Sequence, residues 1–443
     1  MGPKTTTVCV IGIWHLGAVT AACLADLGYT VVGVDKDRRK VEALKRGVPP
    51  LFEPGLQEMM AKNIAAGRLT FTSSLVQGVR GASHVLITHD TPVDDNDEVD
   101  LSDIFAVADG LARHLDGSAT IIVSSQVPVG TCEEIAATLR RANPSVDVHV
   151  AYTPENMRLG RAIECFKRPD MIIIGADSEA TLQRVEQLLA PIEAPRVRVD
   201  LRTAEMTKHA INAYLATCIS FANEIAALCD MVGADALKVA KALRMDARVS
   251  SNAPLLPGSG FSGGTLARDV QVLRGLGRQH DYPPPLFDGV WEANKRQAQA
   301  PVRRLKEVYP ALQGQTVTVL GLTYKPGTST LRRSAALEVI KTLVSEGAKV
   351  QAYDPKADPE ELAHHQGFSV CSGAEDAAKG SNALLLMTPW PEFRDLDFAQ
   401  IGESMMSRVL VDAHNYLDGQ SLAEQGFTYL GIGRGVRPSE AKG

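Results

Sequence analysis

The stretch Thr7-Val8-Cys9-Val10-Ile11, followed directly by Gly12-Ile13-Trp14-His15-Leu16-Gly17, decides the fold of the N-terminal part of the chain. Its first five residues form a continuous apolar run, the pattern of a strand buried on both faces of a sheet. The glycines that follow predict a tight turn, and apolar residues then recur at helical spacing through Leu24. Thr30–Val34 is predicted as a second strand that ends at Asp35. This order is the beginning of a βαβ unit.

Strands and helices continue to alternate through the N-terminal half. Further strand candidates lie between helical patterns, at Val85–Thr88, Ala119–Ser124, Val148–Ala151 and Met171–Ile174. Alternation of this kind predicts a parallel, doubly wound sheet.

The middle of the chain has a different pattern. From Thr203 to about Leu243 apolar residues recur at helical spacing without a strand candidate, and after a Pro-, Gly- and Ser-rich loop more helix is predicted to about Gln299. Strand–turn–helix patterns then restart, with strand candidates at Thr316–Leu320, Lys349–Tyr353, Ala383–Met387 and Val409–Asp412. We predict two Rossmann-like α/β domains joined by a central helical region, with boundaries at 1–202, 203–300 and 301–443.

Composition places the chain among globular proteins of ordinary charge. It has 443 residues, 45% of them hydrophobic and 22% charged, and this length corresponds to about two or three domains. Lys and Arg number 46 against 52 Asp and Glu, and the formal net charge is −6. This balance excludes a disordered tail protein. It also lacks the excess of positive charge that is typical of proteins that bind nucleic acid or an anionic membrane.

The seven cysteines are an odd number, are widely scattered and include no C-x-x-C pair. Such thiols are typical of a reducing compartment and do not fit a disulfide framework or a zinc site. No uninterrupted apolar run reaches the ~18 residues that a membrane span needs. We therefore expect a cytoplasmic protein with no membrane span and no metal.

The turn after the first strand is a candidate dinucleotide site. Gly12–Gly17 leads into a predicted helix whose N-terminus would face a pyrophosphate, and Asp35 would accept hydrogen bonds from ribose hydroxyls. Trp14 replaces the middle glycine of the G-x-G-x-x-G pattern and should crowd the place where backbone meets pyrophosphate. Asp35 favours NAD over NADP, although basic residues at 36, 38 and 39 weaken this preference. The alternative is an ordinary strand–helix turn without a ligand.

Two further segments lie where strands end. Ser124–Thr131 follows one strand candidate and Thr153–Arg158 another, at the edge of an open α/β sheet where ligands bind. Taken alone, each segment is more typical of a plain strand-to-helix turn.

Lys208 and Asn212 are four residues apart on the predicted helix Thr203–Cys229 and so share one face of it. The face around them is apolar and includes Met206 and Ile211. A lysine in such surroundings needs a partner or a function, because burial of an unpaired charge is costly. The alternative is a surface lysine whose ammonium reaches solvent along its apolar stem.

The most informative part of the central region is the segment Pro257-Gly258-Ser259-Gly260-Phe261-Ser262-Gly263-Gly264-Thr265-Leu266-Ala267-Arg268-Asp269. Small residues on both sides of a single phenylalanine indicate a backbone that approaches a ligand closely. A flexible surface loop is the alternative. Phe261 and the immediate return to a helical pattern argue against it.

The order of these motifs resembles that of the UDP-glucose/GDP-mannose dehydrogenase family, over about residues 5–436. Five runs in the C-terminal part support the resemblance: Leu320–Pro326, Leu331–Ser334, Tyr353–Pro355, Thr388–Trp390 and Gly431–Gly435. Similarity in that many ordered places is far beyond chance.

The resemblance implies an NAD-dependent oxidation of the sugar of a nucleotide sugar, with a UDP-sugar favoured because such substrates are common in the family. It implies that the N-terminal domain binds NAD, that the C-terminal domain binds the nucleotide and that the central helices form a homodimer. Typical members oxidise a primary alcohol twice, to a carboxylate, through an enzyme thiohemiacetal and thioester. Polysaccharide biosynthesis is their usual setting.

The resemblance also assigns roles to residues of this chain. Catalytic roles fall on Lys208, Asn212, Asp269, Glu155 and Thr265. Cofactor-binding roles fall on Gly12, Trp14, His15, Leu16, Gly17, Asp35, Thr91, Pro92, Gln126 and Arg332. Substrate-binding roles fall on Arg158, Gly260, Phe261, Gly263, Lys325 and Arg248, the last of which resembles an arginine that reaches the sugar of the other subunit.

Four positions depart from the family pattern. Thr265 stands where the family has its nucleophilic cysteine, while Gln126 replaces a threonine, Leu159 a glutamate and Arg268 a lysine. Hydride transfer from an alcohol needs NAD, a proton acceptor and a group that steadies oxyanion charge, whereas forming a thioester needs a thiolate. We therefore predict a single two-electron oxidation that gives an aldehyde or a ketone.

Two alternatives stay open. One is full four-electron oxidation to the uronic acid through a gem-diol, without a covalent intermediate, which the NADH formed per sugar separates from a single oxidation. The other is a catalytically silent nucleotide-sugar-binding protein, which Trp14 and the lost thiol motivate. Such a protein would bind NAD without turnover.

Overall fold

The structure, a computed structural model, describes residues 6–92, 99–115, 119–144, 147–154, 156–261 and 265–435. The chain divides into two compact units, Met1–Ala210 and Ile211–Gly443. The predicted three-part division differs because it gives the central helices a domain of their own, and it stays a prediction.

The described strands of the N-terminal unit form one sheet. They are β1 (Thr7–Ile11), β2 (Thr30–Val34), β3 (Leu69–Thr72), β4 (His84–Ile87), β5 (Thr120–Val123), β6 (His149–Tyr152), β7 (Ile172–Ala176) and β8 (Arg196–Val199). Their order across the sheet is β3-β2-β1-β4-β5-β6-β7-β8. The part from β3 to β6 has the order of a dinucleotide-binding Rossmann sheet, which binds ligands outside the carboxyl ends of its strands.

The helices of this unit are α1 (His15–Asp26), α2 (Arg38–Lys45), α3 (Leu56–Ala65), α4 (Leu75–Val79), α5 (Ser102–His114), α6 (Thr131–Ala142), α7 (Ala162–Lys167) and α8 (Glu179–Leu189). Residues Gly17–Ala25 of α1 are all buried. They share one core cluster with β1 and β2, where small side chains such as Ala18 and Ala22 let the helix pack closely.

One pair of strands is an exception to the parallel arrangement. β6 and β7 pair antiparallel, whereas β7 and β8 pair parallel. The link between β6 and β7 contains α7, a helix of only 6 residues. A parallel partner needs a crossover that runs back along the sheet, usually on a longer helix.

α9 (Leu201–Val232) is a single helix of 32 residues. By length and composition it could cross a membrane, a test that the core helix of a soluble protein also passes. Its buried residues include the polar or charged side chains of Glu205, Lys208, His209, Asn212, Ser220 and Asn223. Buried groups of this kind need hydrogen-bond partners within the protein.

The C-terminal unit repeats the first architecture. Its strands are β9 (Thr316–Leu320), β10 (Lys349–Tyr353), β11 (Phe368–Val370), β12 (Ala383–Leu386), β13 (Val409–Asp412) and β14 (Thr428–Gly431). They lie in the order β11-β10-β9-β12-β13-β14, and all of these pairs are parallel. The predicted class of two Rossmann-like, doubly wound α/β domains with a central helix is therefore confirmed.

Both faces of this second sheet are buried. Ala383 and Leu385 of β12 pack in one hydrophobic cluster, and Leu384 and Leu386 pack in another. This explains why the strand is a continuous apolar run. The helices of the unit are α10 (Ala236–Met245), α11 (Thr265–Gln279), α12 (Pro285–Ala298), α13 (Ala300–Lys306), α14 (Ala335–Ser345), α15 (Pro359–Leu362), α16 (Ala374–Ala378), α17 (Phe398–Ser404) and α18 (Gly419–Glu424), with a 3-10 turn at Pro391–Arg394.

Candidate active site

The turn between β1 and α1 is tight and needs its glycines. Gly12 has a φ of +93°, and a Cβ there would lie 2.8 Å from the ring of His89. A Cβ at Gly17 would lie 2.2 Å from the carbonyl oxygen of Gly12. Asp35, just after β2, accepts the backbone N–H of Ile13 at 3.0 Å. The structure thus brings Gly12, Gly17 and Asp35 together at the carboxyl ends of β1 and β2.

Trp14 projects outward from this turn. The side chain is 41% exposed, and its ring lies 5.7 Å from the ammonium of Lys40. Lys40 in turn forms an ion pair of 2.9 Å with Asp35. Leu16 is partly buried in the first turn of α1. The ammonium of Lys40 partly neutralises the negative charge of Asp35, the carboxylate that is expected to repel the 2′-phosphate of NADP. Sequence reasoning missed this lysine.

His15, the first residue of α1, contacts a buried carboxylate. Its Nε2 lies 2.8 Å from Oε2 of Glu53, whose side chain is 1% exposed. Glu53 also accepts the backbone N–H groups of Gly160 and Ala162, at 2.9 and 2.8 Å. Burial acts to raise the pKa of Glu53, but these hydrogen bonds hold it below its usual value. The carboxylate therefore ties the dinucleotide turn to the loop before α7, a link that sequence reasoning missed.

The loops after β4 and β5 meet at Thr91 and Gln126. The buried Thr91 donates its hydroxyl to the carbonyl oxygen of Gln126 at 2.7 Å, and the exposed Pro92 follows it. The Nδ1 of His89 is buried and has no hydrogen-bond partner among the described residues. Burial also lowers the pKa of His89. A neutral histidine thus lies against the Gly12 turn, which no sequence pattern indicated.

The residues of the turn fit NAD. The carboxylate of Asp35 accepts hydrogen bonds from Ile13, Asp37 and Lys40. A carboxylate has about four acceptor positions, so one remains for a ribose hydroxyl. The glycine turn and the N-terminus of α1 would hold the pyrophosphate. When bound, NAD supplies the acceptor for a hydride.

Replacing Gly17 by alanine is expected to weaken NAD binding, because the new methyl group would lie 2.2 Å from the carbonyl oxygen of Gly12 and the turn must open. We expect the dissociation constant from isothermal titration calorimetry to rise at least about tenfold, or about 1.4 kcal/mol. Gly289→Ala is the matched control, since Gly289 is also helical and a Cβ there would have no described neighbour within 4 Å. Unchanged affinity in Gly17→Ala would contradict the assignment of this turn.

The first turns of α9 are held by the loop after β5. Glu205 is fully buried and accepts the backbone N–H groups of residues 130 and 132, at 2.6 and 2.9 Å. Burial raises the pKa of Glu205. His209 Nε2 lies 2.9 Å from the carbonyl oxygen of Val127. These contacts fix the rotation of the helix and so decide where Lys208 points.

Lys208 is 7% exposed and has a polar partner on another element. Its ammonium donates a hydrogen bond of 2.9 Å to Oδ1 of Asn156, in the segment Thr153–Arg158 after β6. The alternative of a surface lysine does not apply, because the side chain is buried. Glu155 lies outside the described residues, and Arg158 is exposed.

Asn212 and Asp269 form a buried pair in the second unit. Asn212 Nδ2 donates to Oδ2 of Asp269, and the two residues are 5% and 0% exposed. Asn212 follows Lys208 by about one turn of α9, so these two side chains share a face of the helix. Thr265 is the exposed first residue of α11, one turn before Asp269.

Side-chain amides hold the backbone of the loop before α11 by hydrogen bonds. A Cβ at Gly260, which has a φ of +91°, would lie 2.5 Å from Oδ1 of Asn294. The same amide bonds both backbone groups of the buried Phe261, at 2.8 and 3.0 Å. Asn223 and Gln297 hold the backbone N–H and carbonyl of residue 258. The loop is therefore not a flexible surface segment where it is described, and Gly263 lies outside the described residues.

Three further predicted binding residues belong to the second unit. Arg248 has a side chain that is 89% exposed and pairs with Asp246 at 2.7 Å. The Lys325 ammonium lies 5.6 Å from the ring of Tyr324. Arg332 is exposed, and its backbone N–H donates to the hydroxyl of residue 330. Their roles toward substrate and NAD stay predictions.

Two Rossmann sheets, a dinucleotide turn and a buried lysine on a long central helix define a dinucleotide-dependent oxidoreductase. The models of the UDP-glucose/GDP-mannose dehydrogenase family match the chain in three parts: the NAD binding domain at residues 6–193, the central domain at 202–296 and the UDP binding domain at 318–419. The chain belongs to this family. It is therefore an NAD-dependent enzyme that acts on a CH–OH group of a nucleotide sugar.

Curated relatives and solved structures cover nearly the whole chain. The UDP-glucose 6-dehydrogenase of Rhizobium meliloti is 38% identical over 434 residues, which are 96% of this chain and 99% of that protein. The enzyme of the same name from Pseudomonas aeruginosa is 37% identical and is covered over 97% of its length, with 96% of this chain. A UDP-glucose dehydrogenase from Pyrobaculum islandicum superposes with a TM-score of 0.89 at 29% identity, covering 98% of both chains.

Proposed function

We propose that this enzyme oxidises the sugar of a UDP-sugar once, by two electrons, and releases an aldehyde or a ketone. The observation that carries the proposal is the threonine, not a cysteine, at the start of α11, in a chain that keeps a buried Lys208 and a buried Asn212–Asp269 hydrogen bond. The lysine, asparagine and aspartate serve hydride transfer. A thiol at position 265 would be needed only for the later steps, in which a thioester forms and is hydrolysed.

In the proposed mechanism Lys208 takes the proton of the sugar hydroxyl, and NAD, when bound, would supply the hydride acceptor. A positioned base of this kind contributes about 10²- to 10⁴-fold to the rate. Asp269 orients the amide of Asn212, which with Lys208 donates to the oxygen that becomes a carbonyl. The one-turn spacing of Lys208 and Asn212 on α9 supports their joint action.

Thr265 is proposed to end the reaction after this step. Thiolates are the effective nucleophiles, and a threonine hydroxyl without an adjacent base is far weaker. Burial raises the pKa of the Cys9 and Cys23 thiols to about 12, which disfavours their thiolates, and no cysteine lies between Cys229 and Cys371. Leu159, in place of a glutamate, removes a group that would assist the attacking water.

One other function remains a candidate on a specific observation. Full oxidation to a UDP-uronic acid through a gem-diol is supported by the relatives, which are named UDP-glucose 6-dehydrogenases. The alternative of a silent nucleotide-sugar-binding protein is set aside, because the chain belongs to a family of NAD-dependent enzymes and its dinucleotide turn fits NAD.

The proposal is tested by incubating the purified protein with NAD and a panel of UDP- and GDP-sugars, following NADH absorbance and identifying the product by mass spectrometry. We expect NADH from a UDP-sugar and a product trapped by hydroxylamine as an oxime. NAD binding without NADH from any UDP-sugar of the panel would contradict the proposal.

The exposed face of α9 supports a homodimer. Large apolar side chains lie on it at a spacing of seven residues, with Tyr214 60%, Phe221 47% and Leu228 55% exposed, and Met231 is 79% exposed three residues on. Apolar residues repeating at heptad spacing form the seams of packed helices. We propose that two copies of α9 pair along this face, which would leave the exposed Arg248 available to the other subunit.

Placing charges on this face is expected to separate the dimer. Phe221→Glu with Leu228→Glu would put like charges opposite one another and remove apolar burial of about 1.5–3 kcal/mol per side chain. We expect size-exclusion chromatography with light scattering to show a dimer for the wild type and a monomer for the double variant. Met245→Glu is the control, since Met245 is 79% exposed on α10. A dimeric double variant would show that another surface pairs the chains.

We also propose a cytoplasmic location. All seven cysteines are free thiols in the structure, as expected in a reducing compartment. Fusion of a fluorescent protein to the C-terminus, followed by cell fractionation, tests this location; recovery in the membrane or secreted fraction would contradict it.

A further inference from the structure

Asn156 contacts the proposed base directly, although no sequence pattern singles it out. Its Oδ1 accepts a hydrogen bond of 2.9 Å from Nζ of Lys208, 52 residues along the chain. Lys208 is buried, whereas Asn156 is exposed. The amide therefore stands between a buried amine and the surface of the N-terminal unit.

The loop that carries Asn156 is fixed at both ends. The backbone N–H of Thr153 donates to the carbonyl oxygen of Val123 at 2.9 Å. At the other end Glu53 accepts the backbone N–H groups of Gly160 and Ala162, at 2.9 and 2.8 Å. Asn156 thus lies on a held segment, and its hydrogen bond to Lys208 is not the chance contact of a free loop.

The other side of the contact is fixed as well. Glu205 and His209 flank Lys208 on α9, and both are engaged with the loop after β5, at 2.6 and 2.9 Å. They are the titratable groups of the described N-terminal unit nearest to Lys208 on its own helix. Glu53, which lies before α3 and accepts the backbone N–H groups at the far end of the Asn156 loop, is also engaged with His15. Asn156 is a neutral group that contacts the amine.

We propose that Asn156 is a positioning residue, which holds the Lys208 amine in the orientation needed to take the hydroxyl proton. This inference rests on the proposed function. An amide oxygen that accepts from one N–H of the amine restricts rotation about the Cε–Nζ bond and so fixes the directions of the other positions on the nitrogen. The bond is charge-assisted when the amine is protonated, so it also favours the ammonium over the neutral amine.

Two substitutions separate this role from a structural one. Asn156→Leu keeps the volume and removes the acceptor, whereas Asn156→Asp keeps the acceptor and adds a negative charge. We expect Asn156→Leu to lower kcat about 10- to 100-fold with an unchanged KM for NAD. The acidic limb of the pH profile of kcat should move by about one pH unit, to lower pH in Asn156→Leu and to higher pH in Asn156→Asp. If Asn156 were needed only for packing, the two substitutions would not shift the acidic limb of the pH profile in opposite directions.

A second readout does not depend on turnover. Lys208 is acetylated with trace acetic anhydride across a pH series, and its labelling is quantified by peptide mass spectrometry against the exposed Lys341. We expect the pH midpoint of labelling to fall in Asn156→Leu and to rise in Asn156→Asp. Gln183→Leu, at an exposed amide of the same unit, is the matched control and should leave both readouts unchanged.

The outcomes distinguish the two proposals. A wild type that forms no NADH overturns the proposed function, while opposite labelling shifts would still support the contact. An active wild type whose two Asn156 variants keep the kcat and the pH limb of the parent overturns the positioning role. If Asn156→Leu loses NAD binding through misfolding, Asn156→Asp decides by the direction of its shift.

Discussion

Lys208→Met is expected to lower kcat/KM for NADH formation by about 10²- to 10⁴-fold, the usual contribution of a positioned base. Methionine has a similar length but cannot take a proton at neutral pH. The dissociation constant of NAD should stay the same, because Gly12, Gly17 and Asp35 form the dinucleotide turn without Lys208. Initial rates of NADH formation and calorimetry with NAD measure the two quantities.

Two controls accompany this variant. Lys238→Met changes an exposed lysine of α10 and should leave kcat/KM unchanged. Lys208→Arg retains a positive charge but not a proton acceptor, since a guanidinium stays protonated in proteins, and should be nearly as inactive as Lys208→Met. Activity within tenfold of the wild type in Lys208→Met would remove Lys208 from the mechanism.

Thr265→Cys is expected to convert the enzyme into one that traps its product. The new thiol adds to the aldehyde carbon and its proton goes to the carbonyl oxygen. Loss of that hydroxyl proton, with a hydride accepted by a second NAD, would then leave a thioester. Because Leu159 replaces the glutamate that would assist hydrolysis, the thioester should accumulate. Intact-protein mass spectrometry should show a covalent adduct, with a burst of two NADH per enzyme molecule.

Matched variants sharpen this test. Thr265→Ser retains a hydroxyl and should form no adduct. Thr265→Cys combined with Leu159→Glu should restore hydrolysis and release a uronic acid with continued NADH formation. A Thr265→Cys enzyme that forms no adduct from an active sugar would show that position 265 does not face the reacting carbon.

Most of the fold could be predicted because the runs of apolar residues in its inner strands are enough to identify them as strands. β1, β9 and β13 are largely apolar runs buried on both faces, and their predicted and observed bounds agree. The bounds of the less fully buried β2 and β10 agree as well. The strands that were missed are short and lie toward the edges of the sheets. β8 has the sequence Arg-Val-Arg-Val and is largely exposed or half-buried, so its strand conformation depends on pairing with β7.

The site was predictable only where spacing along the chain carries the information. Lys208 and Asn212 share a face because they are four residues apart on one helix. The contacts of Lys208 with Asn156, and of Glu205 with the start of α6, join residues that are 52 and 73–75 positions apart. Such pairs arise from the packing of separate elements, and the local sequence around either residue does not predict them.

Lys40 pairs with Asp35, five positions away, and was also missed. The sequence shows a cluster of basic residues there but not which ammonium contacts the carboxylate.

The central claim, a single oxidation, is tested most directly by counting NADH per molecule of sugar consumed. The wild-type enzyme is incubated with limiting UDP-sugar and excess NAD until the reaction stops, and the products are reduced with borodeuteride before mass spectrometry. We predict one NADH per sugar and a product that takes up a single deuterium at the oxidised carbon. Two NADH per sugar with a carboxylate product would contradict the claim and would show that water or Thr265 replaces the missing thiol.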